Sequence, residues 1–257
     1  MKKLFLVAGA MAVLVFSACK KDKDNNGGNN GGGNAKLLKK VTKTDGGNTV
    51  VYNLNYNGDK RVTSFNSADG SETTSFTYDN AGNVTKVEQK DGNYYTTFTY
   101  TYNNGVPVSG SLKLVLKVAG EPDDVQQDDA LTYTVVNNQV TKIHTKDKLE
   151  DIEYDINLSY KANGNIEKAV YSGHEEYSYS VVYTYGNKKP AFPTISKWVL
   201  DLGFSLEFAA KNELISTLMD LPGDLYDLEY KTTYTYDAAG YPLTSELDGT
   251  ILKYEYQ

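Results

Sequence analysis

The stretch TFTYTYNNG, residues 97–105, alternates large and small side chains and then ends on two asparagines and a glycine. A period of two puts Phe98, Tyr100 and Tyr102 on one face of an extended strand and Thr97, Thr99 and Thr101 on the other. The Asn-Asn-Gly end supplies the positive φ that a tight hairpin requires. Close relatives of the phrase recur as SFTYDNAG (75–82), LSYKANG (158–164) and TYTYDAAG (233–240).

Working outward, a first set of turns is expected at Gly58, Gly82, Gly105, Gly164, Gly186 and Gly240, with Asn137-Asn138 in the same role. Most are followed by a Val/Thr-rich segment, such as NVTKVEQ (83–89) or QVTKIHT (139–145). A second set returns the chain at SADG (67–70), KDG (90–92), YSG (171–173) and LDG (247–249). First-set turns lie 24 residues apart from Gly58 to Gly82 and 23 from Gly82 to Gly105. That spacing is one hairpin per repeat, with strands of about 8–10 residues. The reading is an all-β fold of roughly fourteen strands: an antiparallel up-and-down meander of Tyr-rich hairpins. So long a sheet curls into a barrel-like form, which also hides its edges.

The pattern breaks once, at PAFPTISKWVLDLG (190–203) and the stretch that follows. Leu206, Ala210, Leu214, Leu218 and Leu221 recur at helical spacing, with Ser205 as a start and Pro222-Gly223 as a stop. This predicts one inserted amphipathic helix over about 205–221, covering or filling the curled sheet.

The chain opens with Lys2 and Lys3, an apolar run LFLVAGAMAVLVF (4–16), and Ser17-Ala18 before Cys19, the only cysteine. The run is too short for a permanent membrane helix and reads as a signal peptide over 1–18. Cys19 at its end resembles the lipobox at which bacterial lipoproteins are acylated, with Phe16 where that motif usually has Leu. Residues 19–35 then make a lipidated cysteine and an Asn/Gly/Lys/Asp tether with nothing apolar to bury. Residues 36–257 form a single β-meander domain. Loss of Lys2 and Lys3 takes the net charge from −7 to −9. Nothing in this balance suits nucleic acid, and no run of basic residues would draw the body onto anionic lipid. The membrane partner is reached through the lipid on Cys19.

FTYDNAGNVTKV (76–87) and YTYDAAGYPLTSE (234–246) resemble the tyrosine–aspartate (YD) hairpins of Rhs-type repeats. Tyr78-Asp79 and Tyr236-Asp237 keep the dipeptide, with glycine four residues after the tyrosine, whereas Tyr160 is followed by Lys161. The whole layout of lipobox, polar tether, Tyr-rich hairpins, GNKKP break (186–190) and closing YD hairpin resembles a Bacteroidetes-type lipoprotein family of unknown function. That resemblance implies a porin-like fold and says little about chemistry. It does not imply a porin, because the second face of these strands is Thr, Lys, Asp, Glu and Asn, not the apolar band that lipid requires.

No P-loop, dinucleotide fingerprint or G-x-S-x-G occurs, so no catalytic residue and no cofactor is assigned. His144 and His174 read as surface histidines: HEEYS (174–178) has Ser178 where a zinc helix needs its second histidine. EPDDVQQDD (121–129) reads as a solvated acidic loop, with no metal site. Twenty-two tyrosines and one tryptophan are the remaining lead. Most rings lie on the interior face; Trp198, beside the insert, is the candidate ligand-facing aromatic. The sequence thus points to an exported protein, lipid-anchored to the envelope at the outer membrane, acting as a non-enzymatic binding or scaffold module for a glycan, peptide or envelope protein. The alternatives are a carboxylate-dependent polysaccharide hydrolase and a carrier of a small apolar ligand inside the barrel.

Overall fold

A computed structural model describes residues 36–175, 178–223 and 226–257. The expected signal peptide, Cys19 and the expected tether lie outside the described residues. The body is a single sheet of seventeen antiparallel strands and one short helix. In chain order the strands are β1 (Leu38–Asp45), β2 (Asn48–Tyr56), β3 (Val62–Ser67), β4 (Glu72–Tyr78), β5 (Val84–Asp91), β6 (Tyr94–Asn103), β7 (Val106–Leu116), β8 (Asp124–Val136) and β9 (Gln139–Asp147). They continue as β10 (Ile152–Tyr160), β11 (Ile166–Ser172), β12 (Ser180–Tyr185), β13 (Leu214–Asp220), β14 (Leu228–Lys231), β15 (Thr233–Tyr236), β16 (Pro242–Leu247) and β17 (Thr250–Tyr256).

Apart from β14 and β15, which do not pair with each other, each strand pairs with its neighbours in sequence, and β1 pairs with both β2 and β17. This makes a nearly closed barrel. The ring of pairings is interrupted at Thr232, where one extended segment changes partner. Below it, β14 pairs with β13; above it, β15 pairs with β16. The Thr232 amide still donates to the Ile215 carbonyl at 3.0 Å.

The alternation in the sequence sorts inside from outside. On β4, Thr74 and Phe76 are buried while Ser75 and Thr77 are exposed; on β6, Phe98 and Tyr100 are buried and Thr101 is exposed. The outer face carries ion pairs, such as Lys142 with Asp155 at 2.7 Å and Lys146 with Glu153 at 2.9 Å. An apolar interior and a polar exterior are the reverse of a bilayer-crossing barrel.

The two ends differ. At one, β2, β4, β6 and β10 each end on or next to a tyrosine at a register shift, between Asn55 and Tyr56, Thr77 and Tyr78, Thr101 and Tyr102, and Ser159 and Tyr160. The bulge turns each ring inward and back across its hairpin. There the hydroxyl donates to a carbonyl at the start of the preceding strand: Tyr56 to Leu38 at 2.6 Å, and Tyr78 to Val62, Tyr102 to Val84 and Tyr160 to Val140 at 2.7 Å. The turn beyond is closed by the next side chain. Asp79 Oδ1 accepts from the Asn83 amide at 2.8 Å, and Asp237 Oδ1 from the Tyr241 amide at 2.9 Å. We call this the tyrosine end, and the opposite rim the return end.

The turn glycines need one correction. Gly82, Gly164 and Gly240 hold the left-handed conformation, but Gly58 and Gly186 do not. In the first turn that conformation falls to Lys60, at φ 61°.

The insert also differs from expectation. The helix α1 spans only Ser205–Ala209, and Leu214–Asp220 is the strand β13. Helical spacing is overridden because the edge of β12 must be paired; Val181 lies opposite Met219 and Tyr183 opposite Thr217. Ser205 is not an N-cap. Its hydroxyl accepts from the Leu200 and Asp201 amides, and Asp201 Oδ1 accepts from the Phe204 and Ser205 amides.

Candidate functional site

The insert enters and leaves the barrel at the tyrosine end, and its apolar side chains occupy the interior. Phe192 meets Phe65 and Tyr254 edge-on, with centroids 5.9 and 6.2 Å apart. Phe204 packs on Phe76 and Phe98 at 5.7 and 5.9 Å. Two barrel tyrosines hold the insert by polar contacts: Tyr100 donates to Asp201 Oδ2 and Tyr133 to the Leu200 carbonyl, both at 2.9 Å. Burial pushes the Asp201 carboxyl up, against the donors that lower it.

Trp198 belongs to this filling. It is 2% exposed, with its Nε1 buried among groups that give it no acceptor, and the Lys197 ammonium lies 4.4 Å from its ring. The ring expected to face a ligand is therefore covered by the protein itself. The insert that carries it spans β12 to β13 and must be buried on both flanks to fill the barrel.

A stacked tyrosine pair lies at the return end, with Tyr171 buried and Tyr179 half-buried over it. β11 and β12 pair over three residues only, from Lys168↔Val182 to Val170↔Ser180. The chain leaves β11 through Gly173 at φ 103° and returns at Tyr179, whose carbonyl accepts from the Tyr171 amide at 2.9 Å. This brings the Tyr171 and Tyr179 rings into a parallel stack, 4.3 Å apart at 16°, with Tyr154 behind them at 6.3 Å. Beside the stack lies a shallow groove of about 250 Å³ lined by Val170, Tyr171, Ser178, Tyr179, Ser180, Asp220 and Pro222, in which Tyr171 is 6% exposed and Tyr179 half-buried. Ser180 donates to Asp220 Oδ2 at 3.1 Å, leaving further acceptor capacity on that carboxylate. Burial raises the Tyr171 hydroxyl's pKa well above its ordinary value, so it stays protonated at neutral pH. Tyr226, 90% exposed, and Leu228 stand on the neighbouring connection and strand.

The half-buried Tyr179 ring, backed by Tyr171, can stack against the C–H face of a sugar or an apolar side chain of a peptide, and the Asp220 carboxylate beside it can accept a hydrogen bond from a sugar hydroxyl or a peptide N–H. Sequence reasoning missed this site. The available signal was the 173–179 connection, GHEEYSY, which with Tyr177 and Tyr179 is richer in tyrosine than the other return turns.

The remaining candidates are dispersed. His144 lies on the outer face between Asp155, at 2.9 Å, and Glu153, at 3.7 Å, while His174 sits in the 173–179 connection. Among the described residues, no group of three or more His, Cys, Asp or Glu side chains is placed to hold a metal ion. Within 121–129, Asp123 pairs with Lys117 and Asp128 with Lys148. Asp129 faces inward, 3% exposed, opposite Asp147 across the β8–β9 ladder. Burial pushes its carboxyl up to about 6, with the Gln127 amide opposing the shift and Asp147 adding to it. Asp147 is committed to its own turn, accepting from the Leu149 and Glu150 amides.

With this geometry in hand, the likeness to known proteins can be stated. Residues 56–94 match the RHS Repeat family. The span starts at the Tyr56 hydroxyl contact and runs through β3, β4 and β5 to Tyr94, taking in the Tyr78-Asp79 turn. Among solved structures, a porin-like protein from Bacteroides vulgatus is similar over 87% of this chain and 99% of its own, with a TM-score of 0.56 and 14% identity. A porin-like protein from Bacteroides uniformis aligns over 86% of this chain and 98% of its own, with a TM-score of 0.39 and 13% identity. At such identity the first likeness is one of fold. Comparison with curated proteins gives no match.

Proposed function

We propose that the protein is a lipid-anchored cell-envelope protein that acts as a non-enzymatic binding or scaffold module. Acyl chains on Cys19 hold it to the outer membrane, and the Tyr171–Tyr179 groove meets a glycan or an extended peptide. The observation that carries this reading is the shallow groove at the rim in which the half-buried Tyr179 ring, backed by Tyr171, lies beside Asp220, while the concave side is taken up by the insert. Envelope location draws support from the signal-like N-terminus and from the fold shared with a porin-like protein.

The test has two parts. Mass spectrometry of the membrane fraction checks acylation of Cys19, which Cys19→Ser must abolish. The full chain is then screened against envelope glycans and peptides. Tyr179→Ala should lower affinity for any ligand by about tenfold, the scale of one lost aromatic stack. Hydrolysis of a glycan by the wild type, or binding indifferent to Tyr179→Ala and Asp220→Asn, would reject the reading.

A further inference from the structure

The tyrosine end gathers lysines that are far apart in the sequence. Lys161 opens the β10–β11 turn, whose Gly164 lies against the Lys211 side chain. Asn212 then ties that turn to the start of the insert. Its Oδ1 accepts from Asn163 at 3.1 Å and Asn165 at 3.0 Å, and its Nδ2 donates to the Lys188 carbonyl at 3.3 Å. The Lys189 amide donates to the Gly240 carbonyl at 3.2 Å, and the Lys189 ammonium lies 4.0 Å from the Tyr241 ring. Lys36 lies 5.7 Å from the same ring. A continuous tract results: Lys161, Lys211, Lys188, Lys189, Lys36.

The acidic groups on the turns of this end do not cancel the tract, and on the adjoining strand ends Glu255 is paired with Lys40 at 2.7 Å, leaving the exposed Glu167 at the start of β11 against four lysines. Asp237 is paired with Lys36 at 2.6 Å, and Asp79 closes its own turn. Glu213 is 2% exposed and is held by the Lys188 amide and the Tyr236 hydroxyl. Asp59 lies 3.7 Å from Arg61. Among the described residues, Lys161, Lys188, Lys189 and Lys211 have no carboxylate at ion-pair distance, and Lys188 and Lys189 are exposed. The return end has the opposite balance, with Asp69, Glu121, Asp123, Glu150, Asp151 and Asp248 on its connections against Lys117 and Lys148. A chain of net charge −7 is therefore polar end to end.

The chain enters the body at this same end, since Lys36 precedes β1 and Leu38 accepts the Tyr56 hydroxyl there. We infer that the lysine tract is a docking surface for the phosphate headgroups of anionic phospholipid, which sets the barrel with its tyrosine end on the membrane and the Tyr171–Tyr179 groove pointing away. Basic groups act on a lipid surface within about one Debye length, ~8 Å at physiological salt, so the tract orients a body already brought close. The orientation rests on the acyl-anchor reading above; the affinity of the tract for lipid does not.

Two experiments separate these parts. First, the full chain carrying Cys19→Ser is titrated with phosphatidylcholine vesicles containing or lacking phosphatidylglycerol. Binding should require phosphatidylglycerol, weaken with salt, and fall by roughly fivefold per lysine, so by two to three orders of magnitude in a variant with Lys161, Lys188, Lys189 and Lys211 all changed to Gln. A single Lys188→Gln variant should show the fivefold step should the quadruple variant fail to fold. Equal binding by wild type and variants, or indifference to phosphatidylglycerol, overturns the inference. Second, the acylated protein is labelled at Ala162→Cys or at Asp151→Cys on the same vesicles. A headgroup quencher should reach the Ala162 label and not the Asp151 label, and the lysine variants should erase the difference. Equal quenching at both positions, with acylation of Cys19 verified, overturns the orientation. Should Cys19 prove unacylated, the first experiment alone decides the tract.

Discussion

The hydroxyl of Tyr78 donates to the carbonyl oxygen of Val62 at 2.7 Å, across the hairpin that the two residues close. The same contact joins Tyr56 to Leu38, Tyr102 to Val84 and Tyr160 to Val140. A repeated tyrosine thus carries out one task four times: it packs its ring inward and satisfies a carbonyl at the strand start, where the bulge has taken the ladder out of register. Tyr78→Phe keeps the ring and removes the bond. It should cost about 1–2 kcal/mol by denaturant titration, and combining it with Tyr160→Phe should be additive. A cost near zero would mean that water replaces the bond and that the recurrence of tyrosine reflects packing alone.

Turn chemistry predicts opposite signs at equivalent positions. Gly82→Ala places a methyl group at φ 86°, with the Arg61 guanidinium in its way. The expected loss is about 1–2 kcal/mol. Lys60 already bears that strain at φ 61° in the preceding turn, so Lys60→Gly should gain about 0.5–1 kcal/mol. Thermal unfolding of the two variants side by side checks the sign.

Asp129 sets a pH dependence. Its folded-state pKa, about 6, stands above the ordinary carboxyl value, so the folded protein holds a proton that the unfolded chain releases. Its contribution to stability is full below about pH 4 and is lost as pH rises through 6. Asp129→Asn should therefore stabilise the protein by about 1–3 kcal/mol at pH 7.5, and by much less at pH 4. Parallel stability curves for wild type and variant between pH 4 and 7.5 would contradict this.

Trp198 tests the filled interior. Trp198→Ala removes a ring that is 2% exposed and should cost about 3–5 kcal/mol. Ligand affinity of the folded fraction should stay unchanged, in contrast to Tyr179→Ala. A loss of binding at Trp198→Ala without loss of stability would return the site to the interior.

By itself the sequence determined most of the strands, their faces and most of the tyrosine-end turns, because a period of two and an Asn/Asp/Gly turn are local physics. Phe98, Tyr100 and Thr101 fall where TFTYTYNNG puts them. What only the tertiary structure decided is long-range. LISTLMD (214–220) has helical spacing, yet it forms β13 because the edge of β12 needs a partner and a sheet bond outweighs local preference. Tyr179 is half-buried where Trp198 is fully buried, because burial is settled by which segment fills the barrel. No run of basic residues exists in the sequence. Lys36, Lys161, Lys188, Lys189 and Lys211 become one tract because a nearly closed meander brings every second turn, and both ends of the insert, to a single rim.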